Sequence, residues 1–246
     1  MKRILLSLCF LLSPYFCQAS TLDILLMGGP SVSTLSNNSN ININPSLVNE
    51  YKTQPQSPIQ SVLGMGVARS YVAFNKPINL SLGLSGYYVD YGKIKGTEYP
   101  FINDGLYDTL NYQFRAQSLV LMVEPRLIYT KFLWQPYALV GMGVAWNHLY
   151  NYNESPSVPA YSAAASPYPF SNRTEASFAY SFALGIQRQI FNNSFKPLLY
   201  FVSVEYRYMN NGKGELGASS AQTTSDRIHI TNLATQAILL SLRITV

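Results

Sequence analysis

Between residues 176 and 190 the chain alternates strictly, and this period of two restricts the fold more than any other feature. The even positions are Ala176, Phe178, Tyr180, Phe182, Leu184 and Ile186, while Ser177, Ala179, Ser181, Ala183, Gly185, Gln187 and Gln189 fill the odd ones. Such alternation belongs to a strand whose two faces meet different surroundings. It recurs along the chain. Leu198, Tyr200, Val202, Val204, Tyr206 and Tyr208 share one parity against Ser203, Glu205 and Arg207. Leu80, Leu82 and Leu84 oppose Ser81, Gly83 and Ser85, and Ile238, Leu240, Leu242, Ile244 and Val246 oppose Ser241, Arg243 and Thr245. Residues 119–129 set Leu119, Leu121, Val123, Leu127 and Tyr129 against Glu124 and Arg126. Residues 136–150 set Val140, Met142, Val144 and Trp146 against Gly141, Gly143 and Asn147. Two weaker segments, 21–34 and 61–74, complete a set of eight without a fixed phase. Residues 110–117 carry the opposite parity to 119–129, so a bulge or late strand start near Ser118 is expected.

The connections decide how these segments assemble. Short linkers near 75–77, 131–135 and 191–195 alternate with long ones at about 35–59, 92–109, 151–174 and 210–228. That order predicts an all-β, eight-stranded antiparallel up-and-down barrel over residues 20–246, with four long extracellular loops. The first residues read as an export signal. Lys2 and Arg3 precede the short apolar run 4–12, and Cys17-Gln18-Ala19 offers a cleavage site, giving a signal peptide over 1–19. Both cysteines, Cys9 and Cys17, fall within it, which leaves no thiol for disulfide, metal or nucleophile in the remainder.

Composition chooses the solvent. Charged residues are 12% of the chain, about half the share in soluble domains. Water-facing strands normally carry Lys, Glu, Thr and Arg, whereas the polar faces here carry Gly, Ala, Ser and Gln. Small residues suit the cramped lumen of an eight-stranded barrel. The apolar faces are aliphatic in the middle and aromatic at the ends, which predicts lipid contact between two girdles. Tyr129, Trp134, Tyr137, Phe191 and Phe195 are expected at the periplasmic rim. Tyr87, Tyr88, Trp146, Tyr150, Tyr206 and Tyr208 are expected at the outer one. Removing Lys2 and Arg3 lowers the net charge from +5 to +3, with no basic cluster for nucleic acid.

With this pattern over nearly all of the chain, the sequence resembles the small outer-membrane β-barrels of the OmpA, OmpX and OmpW type. The terminal Ile238-x-Leu240-x-Leu242-x-Ile244-x-Val246 is similar to the strand read by the outer-membrane assembly machinery, with Val246 where that signal usually ends in an aromatic. The resemblance implies an outer-membrane location among lipid and lipopolysaccharide.

Candidate chemistry is sparse. Glu124 with Arg126, and Glu205 with Arg207, fall on lumen parity, and charges there need partners. A static network joined by Arg243 is expected to plug the core; a gate for ions or small solutes in a narrow channel is the alternative. His229-Ile230-Thr231 is a distant echo of the His-x-Ser of barrel enzymes that deacylate lipid A, a second alternative. No His/Asp/Glu cluster has metal-ligand spacing, and no catalytic residue or cofactor is expected. Gly28-Gly29-Pro30 and Gly64-x-Gly66 lack the following helix of a phosphate loop and read as close strand packing. The reading is a non-enzymatic barrel with an envelope-structural role. Tyr99, Phe101, Tyr107, Tyr152, Tyr161, Tyr168 and Phe170 put aromatics in the loops, a composition compatible with contact to a host or surface ligand, lipopolysaccharide or other proteins, and equally with no partner.

Overall fold

The computed structural model describes residues 21–33, 35, 38–54, 59–72, 77–102, 109–157, 169–193, 198–220 and 222–246. The expected signal peptide and Phe195 lie outside them. The strands among these residues are β1 (Thr21–Val32), β2 (Asn38–Asn44), β3 (Leu47–Thr53), β4 (Ile59–Val72), β5 (Ile78–Tyr99), β6 (Leu110–Tyr129), β7 (Gln135–Pro156), β8 (Arg173–Asn193), β9 (Leu198–Asn210), β10 (Gly214–Glu215), β11 (His229–Ile230) and β12 (Ala234–Thr245). Eight of them close an antiparallel ring in the order β1, β4, β5, β6, β7, β8, β9, β12 and back to β1. All eight alternating segments of the sequence are in that ring. Closure also fixes the two weak phases: Asp23, Leu25 and Met27 of β1 and Gln60, Val62 and Ser70 of β4 point inward.

The apolar rows point out. Leu184 is 68% exposed, Leu240 64% and Leu121 44%, and similar residues encircle the barrel. An apolar belt of this extent far exceeds the exposed patches of soluble monomers and fits a hydrocarbon surround. On β5 it runs from Ile78 to Tyr88, which at strand rise and barrel tilt is about 25 Å, the height of a lipid-facing band.

β5 itself has 22 residues, or about 50 Å along the barrel axis, so the wall continues well past the band. Here the structure differs from expectation. Stretches 92–99 and 151–156 are barrel strand rather than loop, and 35–59 contains the β2–β3 hairpin, whose β3 extends the wall by pairing with the end of β5. β6 itself carries no bulge at Ser118; the shift lies opposite, on β5. β6 keeps a single inward parity from Leu110 through Ile128, and what inverts is the chemistry outside it. In the band, Leu119, Leu121 and Val123 face out; above it, Asn111, Gln113 and Arg115 do, while Tyr112, Phe114 and Ala116 fill the interior. Lipid and water are on the same side of one strand at different heights. The bulges are in its neighbours: Asp90–Gly92 on β5, with Gly92 at φ +69°, and around Asn151 on β7, at φ +56°.

Three of the bulky lumen tyrosines fit because each lies across a glycine on the neighbouring strand. Tyr87 is the register partner of Gly64, Tyr112 of Gly96 and Tyr137 of Gly185. A Cβ on Gly64 would sit 2.6 Å from the Tyr87 ring. Gly64→Val is therefore expected to cost about 1–3 kcal/mol in a urea-unfolding midpoint. Gly86→Ala is the neutral control, since its Cβ would find nothing nearer than 3.8 Å. Equal midpoints for the two variants would remove this account.

Candidate functional site

The centre of the lumen is an ion triad. Arg207, fully buried at 0% exposure, places Nη1 2.5 Å from Glu124 Oε1 and Nε 2.7 Å from Glu205 Oε1. The Tyr87 hydroxyl donates to Glu124 Oε2 at 2.8 Å and also meets Arg207 Nη1. The Tyr137 hydroxyl donates to Glu205 Oε2 at 2.8 Å. Arg207 crosses the Tyr87 ring at 4.6 Å and Arg126 the Tyr137 ring at 4.8 Å, so cation–π contact supports both guanidinium groups. Nearer the barrel end where the chain's last strand ends, Arg243 lies 3.7 Å from Asp23 and 4.0 Å above the Phe201 ring. Asp23 also accepts from Ser70 and Thr245, each at 2.5 Å. These groups border a vestibule of about 190 Å³ that opens toward the strand ends. Asp23, Glu124 and Glu205 balance Arg126, Arg207 and Arg243, so the buried charges of the spanning section sum to zero.

Above the triad the lumen closes. Ser118 donates to Asn147 at 2.5 Å, Asn147 Nδ2 donates to the carbonyls of Asn211 and Lys213, and Asn211 Nδ2 donates to the Tyr91 hydroxyl at 2.7 Å. The loop expected to face outward over 210–228 turns instead, with the residues up to 233, into the mouth, where Leu216, Ile228, Ile230 and Leu233 are buried. Gly212, at φ +74°, starts this inward turn. The plug is tied to the β2–β3 hairpin by Asn42, whose backbone and side-chain N–H groups donate to Asp226 at 3.1 and 2.6 Å.

The top of the wall holds an aromatic cup around a buried acid. Tyr51 and Tyr152 pack edge-on against Phe170 at 5.9 and 5.0 Å, and Tyr51 meets Tyr112 at 5.6 Å. Tyr152 and Phe170 are thus core, not surface contacts; Tyr107, Tyr161 and Tyr168 fall outside the described residues. Glu98 is 3% exposed and accepts from Asn49 at 2.7 Å and Tyr51 at 2.8 Å, while its second oxygen is buried without a partner. Burial first, and the neighbouring Glu154 second, push its carboxyl up to about 8. Burial also raises Tyr112 to about 12 and lifts Tyr51 and Tyr152.

The girdles need correction. Tyr137 and Tyr87 are buried in the lumen, because both share parity with inward neighbours, Leu139 and Ser85. Trp134, Trp146, Phe191, Tyr206 and Tyr88 face out, and Tyr129, Tyr150 and Tyr208 are half-buried on outward parity. Arg188 covers Trp134 at 5.4 Å on the rim where β6 and β7 are joined by a short turn. His229 is exposed on β11 with Nδ1 3.2 Å from the Arg227 carbonyl, not on a lumen-facing barrel strand. His148 stacks on Tyr150 at 4.9 Å and shares a 2.8 Å hydrogen bond with Thr174 at the outer rim. No group of three or more potential metal ligands occurs among the described residues. Sequence reasoning missed Asp23, Tyr87, Tyr137, Glu98 and the plug. For the two tyrosines the signal existed, since counting on from Ser85 and Leu139 assigns them inward.

No family model and no curated protein matches the chain. Among solved structures, neisserial surface protein A aligns over 92% of this chain and 99% of its own, at 8% identity and TM-score 0.38. The outer membrane protease OmpT of Escherichia coli aligns over 96% and 99%, at 10% identity and TM-score 0.43. The transport unit of the autotransporter AIDA-I of Escherichia coli aligns over 99% and 95%, at 10% and 0.34. At these values no ligand or mechanism transfers to this chain, and its own strand register defines the barrel.

Proposed function

We propose that this chain is an integral outer-membrane barrel, of the small OmpA, OmpX and OmpW type, that serves the envelope as a closed, non-enzymatic scaffold. The observation that carries this reading is the lumen. A charge-neutral buried network spans it, and an apolar plug built from residues 211–233 covers the network from above. A conducting path needs polar groups that face water and exchange partners, whereas Arg207 has no solvent contact. The signal peptide directs export, and the alternating β12 is the element the assembly machinery engages. The extended wall then becomes the surface offered to lipid and to external partners.

Against catalysis by His148 stands its setting. His148 hydrogen-bonds a hydroxyl, but no carboxylate orients its ring through a hydrogen bond or ion pair among the described residues. Wild-type protein in planar bilayers is expected to give no discrete conductance steps. Stepwise currents would overturn the closed scaffold in favour of a narrow channel. Overexpression is expected to leave lipid A acylation unchanged by mass spectrometry, and a change abolished by His229→Ala would establish the enzyme instead.

A further inference from the structure

We infer that the vestibule at the short-turn end of the lumen binds a small aliphatic carboxylate, held by Arg243 and Arg126. The inference goes beyond the closed-scaffold reading and takes from it only the compartment, since an outer-membrane barrel turns its short-turn end to the periplasm.

The buried charges of the spanning section sum to zero, but they are not evenly spread. Arg207 holds two carboxylates, Glu124 at 2.5 Å and Glu205 at 2.7 Å. Asp23 is then the one buried acid left in that section for two buried guanidinium groups, Arg126 at 6% and Arg243 at 7% exposure. Asp23 commits both oxygens to the hydroxyls of Ser70 and Thr245. It lies 3.7 Å from Arg243, inside ion-pair range but too far for a hydrogen bond. Arg126 rests on the Tyr137 ring at 4.8 Å and has no ion pair among the described residues. Neither guanidinium donates a hydrogen bond to a described residue, and Arg243 Nε is buried without a partner. Each carries five N–H donors, and buried donors need acceptors. The two groups also repel each other. A local excess of +1 with open donors is a demand that an anion meets.

The cavity itself narrows the choice of anion. At about 190 Å³ it is smaller than the roughly 300–1,000 Å³ of pockets for drug-sized ligands, so it suits an ion of a few heavy atoms. Arg243 lines one side, and Ile128, Leu199 and Phe201 supply apolar wall. Arg126 is one inward step deeper than Ile128 on β6. A planar carboxylate accepts two parallel N–H bonds from one guanidinium. A short aliphatic tail behind it would cover the three apolar side chains and leave water. Its single negative charge matches the excess of +1. A phosphate carries a charge closer to about −2 at neutral pH and has no tail for that wall.

The test titrates the full barrel, in nonionic detergent micelles at neutral pH and low salt, with butyrate followed by NMR line broadening. The wild type is expected to broaden butyrate saturably and to leave butyramide, its neutral isostere, sharp. Arg243→Gln is expected to weaken binding about tenfold or more, as loss of a charge-assisted hydrogen bond does. Arg188→Gln, which removes a cation from the outer rim of the same end, should change nothing. Broadening that never saturates overturns the site, as does equal affinity in the Arg243 and Arg188 variants. Inorganic phosphate competing as well as butyrate overturns the aliphatic-carboxylate assignment, since the apolar wall would then contribute nothing. Heat-dependent mobility on gels reports folding of each variant. Should Arg243→Gln not fold, the wild-type contrast of butyrate with butyramide decides, and equal broadening of the two overturns the site. A folded barrel that ignores butyrate defeats this inference alone, whereas a chain that stays soluble without detergent defeats the membrane reading.

Discussion

Replacing Arg207 with methionine is expected to destabilise the folded barrel by about 3–5 kcal/mol, the range for removing one partner of a buried ion pair. The side chain bridges Glu124 at 2.5 Å and Glu205 at 2.7 Å with no solvent contact. Its loss strands two carboxylates in a closed lumen, where Tyr87 and Tyr137 each supply one hydroxyl and no positive charge. Coulomb repulsion between the carboxylates adds to the desolvation each already bears. The triple variant Glu124→Gln/Glu205→Gln/Arg207→Met should recover most of the loss, because a neutral set of similar volume has no charge to leave unpaired. By contrast, Asp90→Ala breaks a 3.4 Å pair whose arginine is 40% exposed, and is expected to cost under about 1 kcal/mol. Urea midpoints in lipid vesicles measure all three. A single Arg207→Met variant as stable as Asp90→Ala would mean that the triad is not what fills and fixes the lumen.

The strand count, ring closure and outward direction of the oily rows were legible because lipid imposes one rule over a fixed height. Phe178 through Ile186 read correctly at every step, since neighbours on both sides obey the same solvent. Legibility failed where the solvent changes. Tyr112 and Phe114 share parity with Glu124, so the inward face is apolar at one height and ionic at another, and residue type alone suggests a slip in register. The geometry resolves this with an unbroken strand. Tyr87 and Tyr137 were misassigned for a related reason: tyrosine suits both an interfacial girdle and a lumen, and only its place in the alternation separates them. The glycines opposite, Gly64 and Gly185, become informative only once the register is known. Asp23 belongs to a strand whose Gly28-Gly29-Pro30 segment blurs its phase. The inward fold of 211–233 left no periodic mark at all, because a plug is held by irregular contacts such as Asn211 with Tyr91.

The aromatic cup is expected to loosen as pH rises from about 4.5 to about 8, and to change little on either side of that window. In the unfolded chain Glu98 is an ordinary carboxyl near 4.5, whereas in the cup it holds its proton up to about 8. Between those values the folded state binds one proton more than the unfolded state, so stability falls with rising pH. At about 1.4 kcal/mol per unit the full effect is on the order of 3–5 kcal/mol. The cause is geometric. The oxygen of Glu98 without a hydrogen-bond partner is buried beside Glu154, while the other accepts from Tyr51, so a negative charge there has no solvent to screen it. The tyrosines there are pushed upward, Tyr112 to about 12, and so stay neutral throughout. Amide hydrogen exchange of β2 and β3, corrected for intrinsic rates, should therefore show less protection at pH 8.5 than at pH 5.5. Glu98→Gln preserves acceptance from Asn49 and Tyr51 and removes the charge, so it should flatten this dependence and leave the hairpin better protected at high pH. Were the variant to keep the wild-type slope, the proton would belong to another group, and the acid under the hairpin would be a passive part of the wall.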